Sequence, residues 1–206
     1  MENFIDGIIA VVFCIVGFFF AWKFYKKQEY RKSLFIIMLC GLILRIYSGT
    51  DFFLHEWDER YHALVAKNLI KHPLKPTLYD EPLFSYDYSE WAGNHIWLAK
   101  PPLPLWMMAA SIYLFGNNEI AVRIPSFLLS TVAIYLTFLI GYLLFNNKIG
   151  LLAAFLHSIH GSLIEIAGGR ISSDHVETCF IFFVELSILC SILSIKRNNI
   201  KWTVFT

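Results

Sequence analysis

The chain has 206 residues, of which 57% are hydrophobic, 17% aromatic and only 16% charged, with a net charge of +1 and a mean hydropathy of +0.55. A soluble domain carries about a quarter charged residues, so this balance excludes an ordinary soluble protein and points to the membrane. A net charge this close to zero offers nothing to nucleic acid.

The first apolar run, Gly7 to Trp22, predicts a span over about 7–25. Glu2 and Asp6 precede it, whereas a cleavable signal peptide carries positive charge there, so the run reads as a retained helix. Lys23, Lys26, Lys27, Arg31 and Lys32 follow it and place that end in the cytoplasm. A second span, about 33–54 with Arg45 inside it, returns the chain to the outer side.

A long polar and aromatic segment, about 55–119, comes next. Asp58 to Lys71 is rich in helix formers and has a partly apolar stripe, which predicts a short helix on the membrane surface. Pro73 and Pro76 end it. Thr77 to Leu98 reads as an irregular loop whose Tyr and Trp rings suit the headgroup region or could stack on sugars. Pro101 to Phe115 predicts a second short interfacial helix, opened by prolines and closed by Gly116.

Three further spans are expected. The third, about 120–145, has Arg123 and Pro125 in its first turn, where a proline costs no helical hydrogen bond. Asn146-Asn147-Lys148 turns the chain into a fourth, about 149–166, which Gly168-Gly169 terminates. The fifth, about 174–195, runs to Lys196, Arg197 and Lys201. Basic residues after spans one, three and five keep those ends inside and put the 55–119 loop and the 168–174 turn together outside. The expected fold is all-α: one polytopic transmembrane helical domain of about five spans with a large outer loop holding short interfacial helices. Cys14, Cys40, Cys179 and Cys190 lie in apolar runs without a CxxC pair and read as small buried hydrophobes.

Membranes tolerate concentrated charge only at interfaces or in water-filled cavities, so the charged residues of the loop side are the site candidates. Asp58-Glu59 opens a helix. Carboxylates there either favour the helix dipole or supply a general base, and adjacent positions point about a third of a turn apart, so one would act on substrate and the other be structural. His55, Asp58, Glu59 and His62 also have a helical spacing that could hold a divalent ion, a weaker match than HExxH. Lys100, Arg123 and Arg170 either snorkel to lipid phosphates or bind the phosphate of a lipid-linked substrate. Asp174 either caps the fifth span or pairs with Arg170. Glu185, His157, His160 and Glu165 are costly inside a membrane and would face other helices, or line a path if the protein were a transporter segment or a lipid-binding subunit.

Three blocks in this order carry a family resemblance: Asp58-Glu59 followed by Tyr61 and Ala63; Lys100-Pro101-Pro102-Leu103 with Trp106; and Leu114-Phe115-Gly116, Glu119, then Arg123-Ile124-Pro125-Ser126. The chain resembles the GT-C glycosyltransferases of the protein-mannosyltransferase and aminoarabinose-transferase type, from about Arg45 to Ile195. The resemblance implies an enzyme that moves a sugar from a polyprenyl-phosphate donor to a hydroxyl of a glycan, lipid or protein acceptor at the outer face of the plasma (inner) membrane. It implies catalytic roles for Asp58, Glu59 and Asp174, phosphate contacts for Lys100, Arg123 and Arg170, and neither cofactor nor metal. Two departures stand out. The first span precedes the family's usual first helix, and Ala99 replaces the glutamate found before the lysine in the aminoarabinose branch. Family members are roughly twice this length, so the chain reads as an N-terminal portion that is inactive alone.

The orientation has a direct test. In a background lacking the native cysteines, Asp87→Cys should react with an impermeant maleimide in intact cells and Lys26→Cys should not. The opposite labelling pattern would reverse the topology.

Overall fold

The structure is a computed structural model that describes residues 2–87, 89–90, 93–171 and 175–197. Among the described residues there are eight helices and no strand, only an isolated antiparallel bridge between Thr77 and Ile96. The helices are α1 (Glu2–Lys26), α2 (Tyr30–Ser48), α3 (Asp58–Leu69), α4 (Pro102–Phe115), α5 (Glu119–Leu144), α6 (Asn147–Ser158), α7 (Gly161–Ala167) and α8 (His175–Arg197). Three of them, α1, α5 and α8, are long and apolar enough to cross a membrane, and the bent pair α6–α7 makes a fourth if it is one broken span.

Helices α1 and α2 form a tight antiparallel hairpin. Ser33 Oγ donates to the Ala21 carbonyl at 2.9 Å, and the Cys14 and Cys40 thiols each face the other's carbonyl. All four cysteines are free and buried, as small apolar residues would be. Below the loop, α1, α2, α5 and α6 share a core of Ala21, Leu34, Ile37, Ile134, Leu151 and Ala154. Helices α5 and α6 touch at glycines: a Cβ on Gly141 would lie 2.8 Å from the Gly150 Cα. Small residues allow such approach where helices pack in lipid.

Several boundaries differ from the sequence expectation. The second helix ends at Ser48, not near Leu54, and α2 is not among the helices apolar enough to cross a membrane, because it carries Arg31, Lys32 and Arg45. It stops there because the carbonyls of Gly49, Asp51 and Phe53 are turned toward Arg123 and cannot extend a helix. Pro125 falls beyond the first turn of α5, since that helix already starts at Glu119, with Asn118 Oδ1 accepting from the Ala121 amide at 2.8 Å.

The expected single span at 149–166 is two helices. Helix α6 ends at Ser158, α7 starts at Gly161, and their axes differ by 56°. A break exposes carbonyls that lipid cannot hydrogen-bond, so protein groups must accept that task. Arg45, fully buried, donates from Nη1 to Ser158 O (3.2 Å) and to Gly41 O (3.0 Å), and from Nε to Ser130 Oγ (2.6 Å). Ser48 Oγ lies 2.9 Å from Ile164 O, and Ser126 Oγ lies 2.6 Å from Ala167 O. The charge within span two, read only as an interruption, closes the break in α6–α7. Deeper still, Glu185 of α8 meets Thr137 of α5 (3.1 Å) and His157 of α6 (3.4 Å), so these polar groups face one another between helices.

On the loop side, α3 lies against α4. Val65, Ala66 and Leu69 interlock with Leu105, Met108 and Ile112, and Ala121, Val122 and Val176 extend this core to α5 and α8. Helix α3 is therefore packed on protein along one face. Trp97, expected among the interfacial or sugar-stacking aromatics, is buried and stacked on Tyr61 with centroids 5.6 Å apart.

Removing the guanidinium should expose what the break costs. Arg45→Ala leaves buried acceptors unpaired, at about 1–3 kcal/mol each, and should lower the melting midpoint of the detergent-solubilised protein by several degrees. Arg45→Lys should recover little, since an ammonium cannot reproduce the fork. An unchanged midpoint for Arg45→Ala would show that the break is satisfied without it.

Candidate functional site

The loop-side ends of α2, α5, α7 and α8 converge on the start of α3, and at their centre is Glu59. It is 1% exposed and receives four hydrogen bonds. Arg123 Nε donates to Oε1 at 2.7 Å and Arg123 Nη2 to Oε2 at 3.0 Å, a bidentate fork. His175 Nε2 lies 2.9 Å from Oε1, and the His55 amide donates to Oε2 at 2.5 Å. An ionised carboxylate only accepts, so His175 presents an N–H on this side. Burial pushes the Glu59 carboxyl up, but the hydrogen bonds from His175 and Arg123, and the charge beside it, act the other way and hold it below the usual carboxylate range.

Arg123 is equally saturated. Its Nη1 donates to Gly49 O (2.9 Å) and Asp51 O (2.5 Å), and its Nη2 also donates to Phe53 O (2.7 Å). With the two bonds to Glu59, all five guanidinium N–H groups are used and the side chain is fully buried. Arg123, expected on sequence grounds to contact a phosphate, has no N–H left for one. His175 Nδ1 continues the network to Ser126 Oγ at 3.0 Å. Gly169 closes it from above: a Cβ there would fall 2.6 Å from Glu59 Oε1, and its φ of +73° already favours glycine.

The neighbouring carboxylate points elsewhere. Asp58 is about a third exposed, and its Oδ2 lies 3.7 Å from Lys100 Nζ. Lys100, a quarter exposed, stands before α4 and donates to Glu177 Oε1 at 3.1 Å. Glu177 lies in the first turn of α8. Asp58, Lys100 and Glu177 thus form an open polar cluster on top of the buried Glu59–Arg123 pair. Just before Asp58, Trp57 has a φ of +67°, rare for a non-glycine residue, at the turn that leads into α3.

Arg170 follows the α7 cap. Its Nε donates to Asp51 Oδ2 at 3.0 Å, its guanidinium lies 6.0 Å from the Tyr47 ring centroid, and a third of its side chain remains exposed. Asp174 lies outside the described residues. The alternative metal set disperses: His55 precedes α3, Glu59 is engaged by Arg123, Asp58 faces Lys100, and His62 is buried against the Trp97 ring. Among the described residues no three His, Cys, Asp or Glu side chains are placed to hold a metal ion.

Asp51, His175 and Glu177 were not singled out in the sequence. Asp51 follows a span that seemed to run past it. His175 and Glu177 looked like the polar start of a helix, the usual place for such residues. Only their meeting with Arg170, Glu59 and Lys100 marks them.

The buried pair carries a prediction with a pH signature. The Glu59 pKa is depressed in the folded protein, so its contribution is fully present above the ordinary carboxylate value of 4.5 and is lost as pH falls through the lower folded value. Glu59→Gln leaves Arg123 buried beside a neutral amide and should cost about 3–5 kcal/mol, read as a lower melting midpoint at neutral pH that converges with the native one in acid. Gly169→Ala should destabilise in the same direction by steric intrusion. A Glu59→Gln protein that melts like the native one at pH 7 would deny the pair its structural role.

Residues 99–206, just over half of the chain, match the family model described as dolichyl-phosphate-mannose-protein mannosyltransferase. An uncharacterized protein of Aquifex aeolicus is 29% identical over 157 residues, which is 76% of this chain and 28% of that protein. The undecaprenyl phosphate-alpha-4-amino-4-deoxy-L-arabinose arabinosyl transferase 1 of Pseudomonas fluorescens is 30% identical over 114 residues, 53% of this chain and 19% of that enzyme. The chain therefore spans about a fifth to just over a quarter of the length of these relatives. No solved structure matches it. The matched region begins one residue before Lys100 and takes in Arg123, Arg170, His175 and Glu177, and the chain belongs to the dolichyl-phosphate-mannose-protein mannosyltransferase family of GT-C glycosyltransferases.

Proposed function

We propose that this chain forms the base-and-phosphate half of a membrane glycosyltransferase site that takes a sugar from a polyprenyl-phosphate donor at the outer face of the plasma membrane. The observation that carries the reading is the pairing of Asp58 and Lys100 across 3.7 Å, both partly exposed, above a buried carboxylate–guanidinium pair. The name of the Pseudomonas relative, an undecaprenyl phosphate-aminoarabinose arabinosyl transferase, supports the donor class.

In this reading the Asp58 carboxylate takes the proton of an acceptor hydroxyl on a glycan, lipid or protein. The acceptor oxygen bonds to the anomeric carbon as the bond from that carbon to the phosphate oxygen breaks. The electron pair stays with the phosphate, and a single displacement of this kind inverts the anomeric centre. Lys100 meets the charge that collects on the leaving phosphate, often the largest contribution to rate in such a step. Arg170, a third exposed, is the second cation. Arg123 and Glu59 act through their neighbours: they hold the start of α3 against α5, and so aim Asp58. Asp174, outside the described residues, is a candidate second acid.

The test is release of polyprenyl phosphate by the complete gene product. Asp58→Asn keeps size but removes the base, so turnover should fall by roughly 10²-fold or more while donor binding stays nearly unchanged. Lys100→Ala should weaken donor binding as well, and Lys100→Arg should restore part of it. Near-full turnover in Asp58→Asn would remove the base, and undiminished donor affinity in Lys100→Ala would remove the phosphate contact.

A further inference from the structure

Lys100 already has an anion. Its Nζ donates to Glu177 Oε1 at 3.1 Å and lies 3.7 Å from Asp58 Oδ2. Glu177 comes from a different element, the first turn of α8, 77 residues along the chain from Lys100, and its side chain is 35% exposed. A surface lysine would ordinarily be solvated. This one is only a quarter exposed and is flanked by two carboxylates from two helices.

The reaction sets a problem that this arrangement answers. A polyprenyl-phosphate sugar is a phosphodiester with one negative charge. The polyprenyl phosphate left after transfer is a monoester, with about −1.5 to −2 charges at neutral pH. A cation that stabilises the departing phosphate therefore holds the product more tightly than the donor. Product affinity of that kind slows the next turnover unless something competes for the cation.

We propose that Glu177 is that competitor: a positioning residue that yields Lys100 to the phosphate during transfer and takes it back afterwards, setting the release of the lipid phosphate product. The inference rests on the reading of Lys100 as the phosphate contact. Asp58 is less suited to the task. It is 3.7 Å from Nζ against 3.1 Å for Glu177, and it must stay available to the acceptor hydroxyl. Glu177 holds the lysine in place between turnovers, so the cation is neither lost to solvent nor locked to product.

Binding measurements on the complete gene product in detergent decide the matter, with undecaprenyl phosphate as the probe and undecaprenol as its uncharged counterpart. Glu177→Gln removes the competing charge and keeps the shape. It should tighten undecaprenyl phosphate by roughly three- to tenfold, a size discounted for the partial exposure of the pair. Undecaprenol affinity should not move, and added salt should shrink the gain. Glu177→Asp, which keeps the charge, should stay near the native affinity. In single- and multiple-turnover assays, Glu177→Gln should lower the steady-state rate more than the first turnover. Unchanged or weaker phosphate binding in Glu177→Gln, or an equal gain for undecaprenol, would overturn the proposal. Lys100→Ala separates the two levels. If it leaves phosphate binding intact, the phosphate site itself is misplaced; if it weakens binding while Glu177→Gln fails to tighten it, only the competitor role falls.

Discussion

The fork between Arg123 and Glu59 is the contact on which the loop side of the molecule depends. Two charges with 0% and 1% exposure would each be costly to bury alone, by several kcal/mol even after relaxation. They are tolerated because every acceptor site of the carboxylate and every N–H of the guanidinium is used. Saturation also gives the pair its reach. Arg123 gathers three carbonyls from the 49–53 segment, Glu59 ties α3 to His175 of α8, and the pair itself joins α3 to α5. Four separate parts of the chain are fixed by one ion pair, and none of its hydrogen-bonding capacity is left for substrate.

A second network, reached through Ser126, connects that pair to the membrane-embedded bundle. Ser126 Oγ lies within hydrogen-bond distance of both His175 and the last carbonyl of α7. Ser48 does the same for Ile164 O, and Arg45 for Ser158 O at the break itself. Helix α7 is thus held at its middle and its C-terminal end by Ser48 of α2 and Ser126 of α5, while Arg45 of α2 holds the end of α6. Its terminus at Gly168-Gly169 is pressed against Ser48 and Glu59, where no Cβ fits. The broken span is the piece that brings backbone close enough to seal the Glu59 carboxylate from solvent.

Helix type and order were legible in the sequence wherever apolar length or a proline and glycine frame decided them: α1, α4, α5 and α8 lie close to their expected ranges. The break at Ile159-His160 was not. No proline or glycine marks it before Gly161, and its stability comes from Arg45, more than a hundred residues away. The acidic pair was legible as a division of labour, because adjacent helical positions cannot face one target, but not which residue turns inward. That depends on the location of Arg123, a contact 64 residues distant. Arg123 itself shows the limit of composition. An arginine at a span end snorkels, binds phosphate or knits loops together, and only its neighbours decide. Glu177 was invisible for the same reason: alone it is an ordinary acid in a first turn.

The spacing of Asp58 and Lys100 is set by apolar packing, not by their own attraction. A part-exposed pair 3.7 Å apart gains little from Coulomb energy in water. What holds the two residues near each other is the interlocking of Val65, Ala66 and Leu69 on α3 with Leu105, Met108 and Ile112 on α4, one to two turns below the charges. Asp58 opens α3 and Lys100 stands two residues before α4, so the seam between the helices sets the gap between the charges while both heads stay partly exposed. The same logic places Glu177: Val176, its neighbour on α8, is buried in that seam. In the proposed reaction the three charged heads would rearrange around a phosphate above this core, while Glu59 and Arg123 stay in their buried fork. On the proposed reading, the rigid ion pair sets the geometry and the part-exposed pairs are the ones that meet substrate.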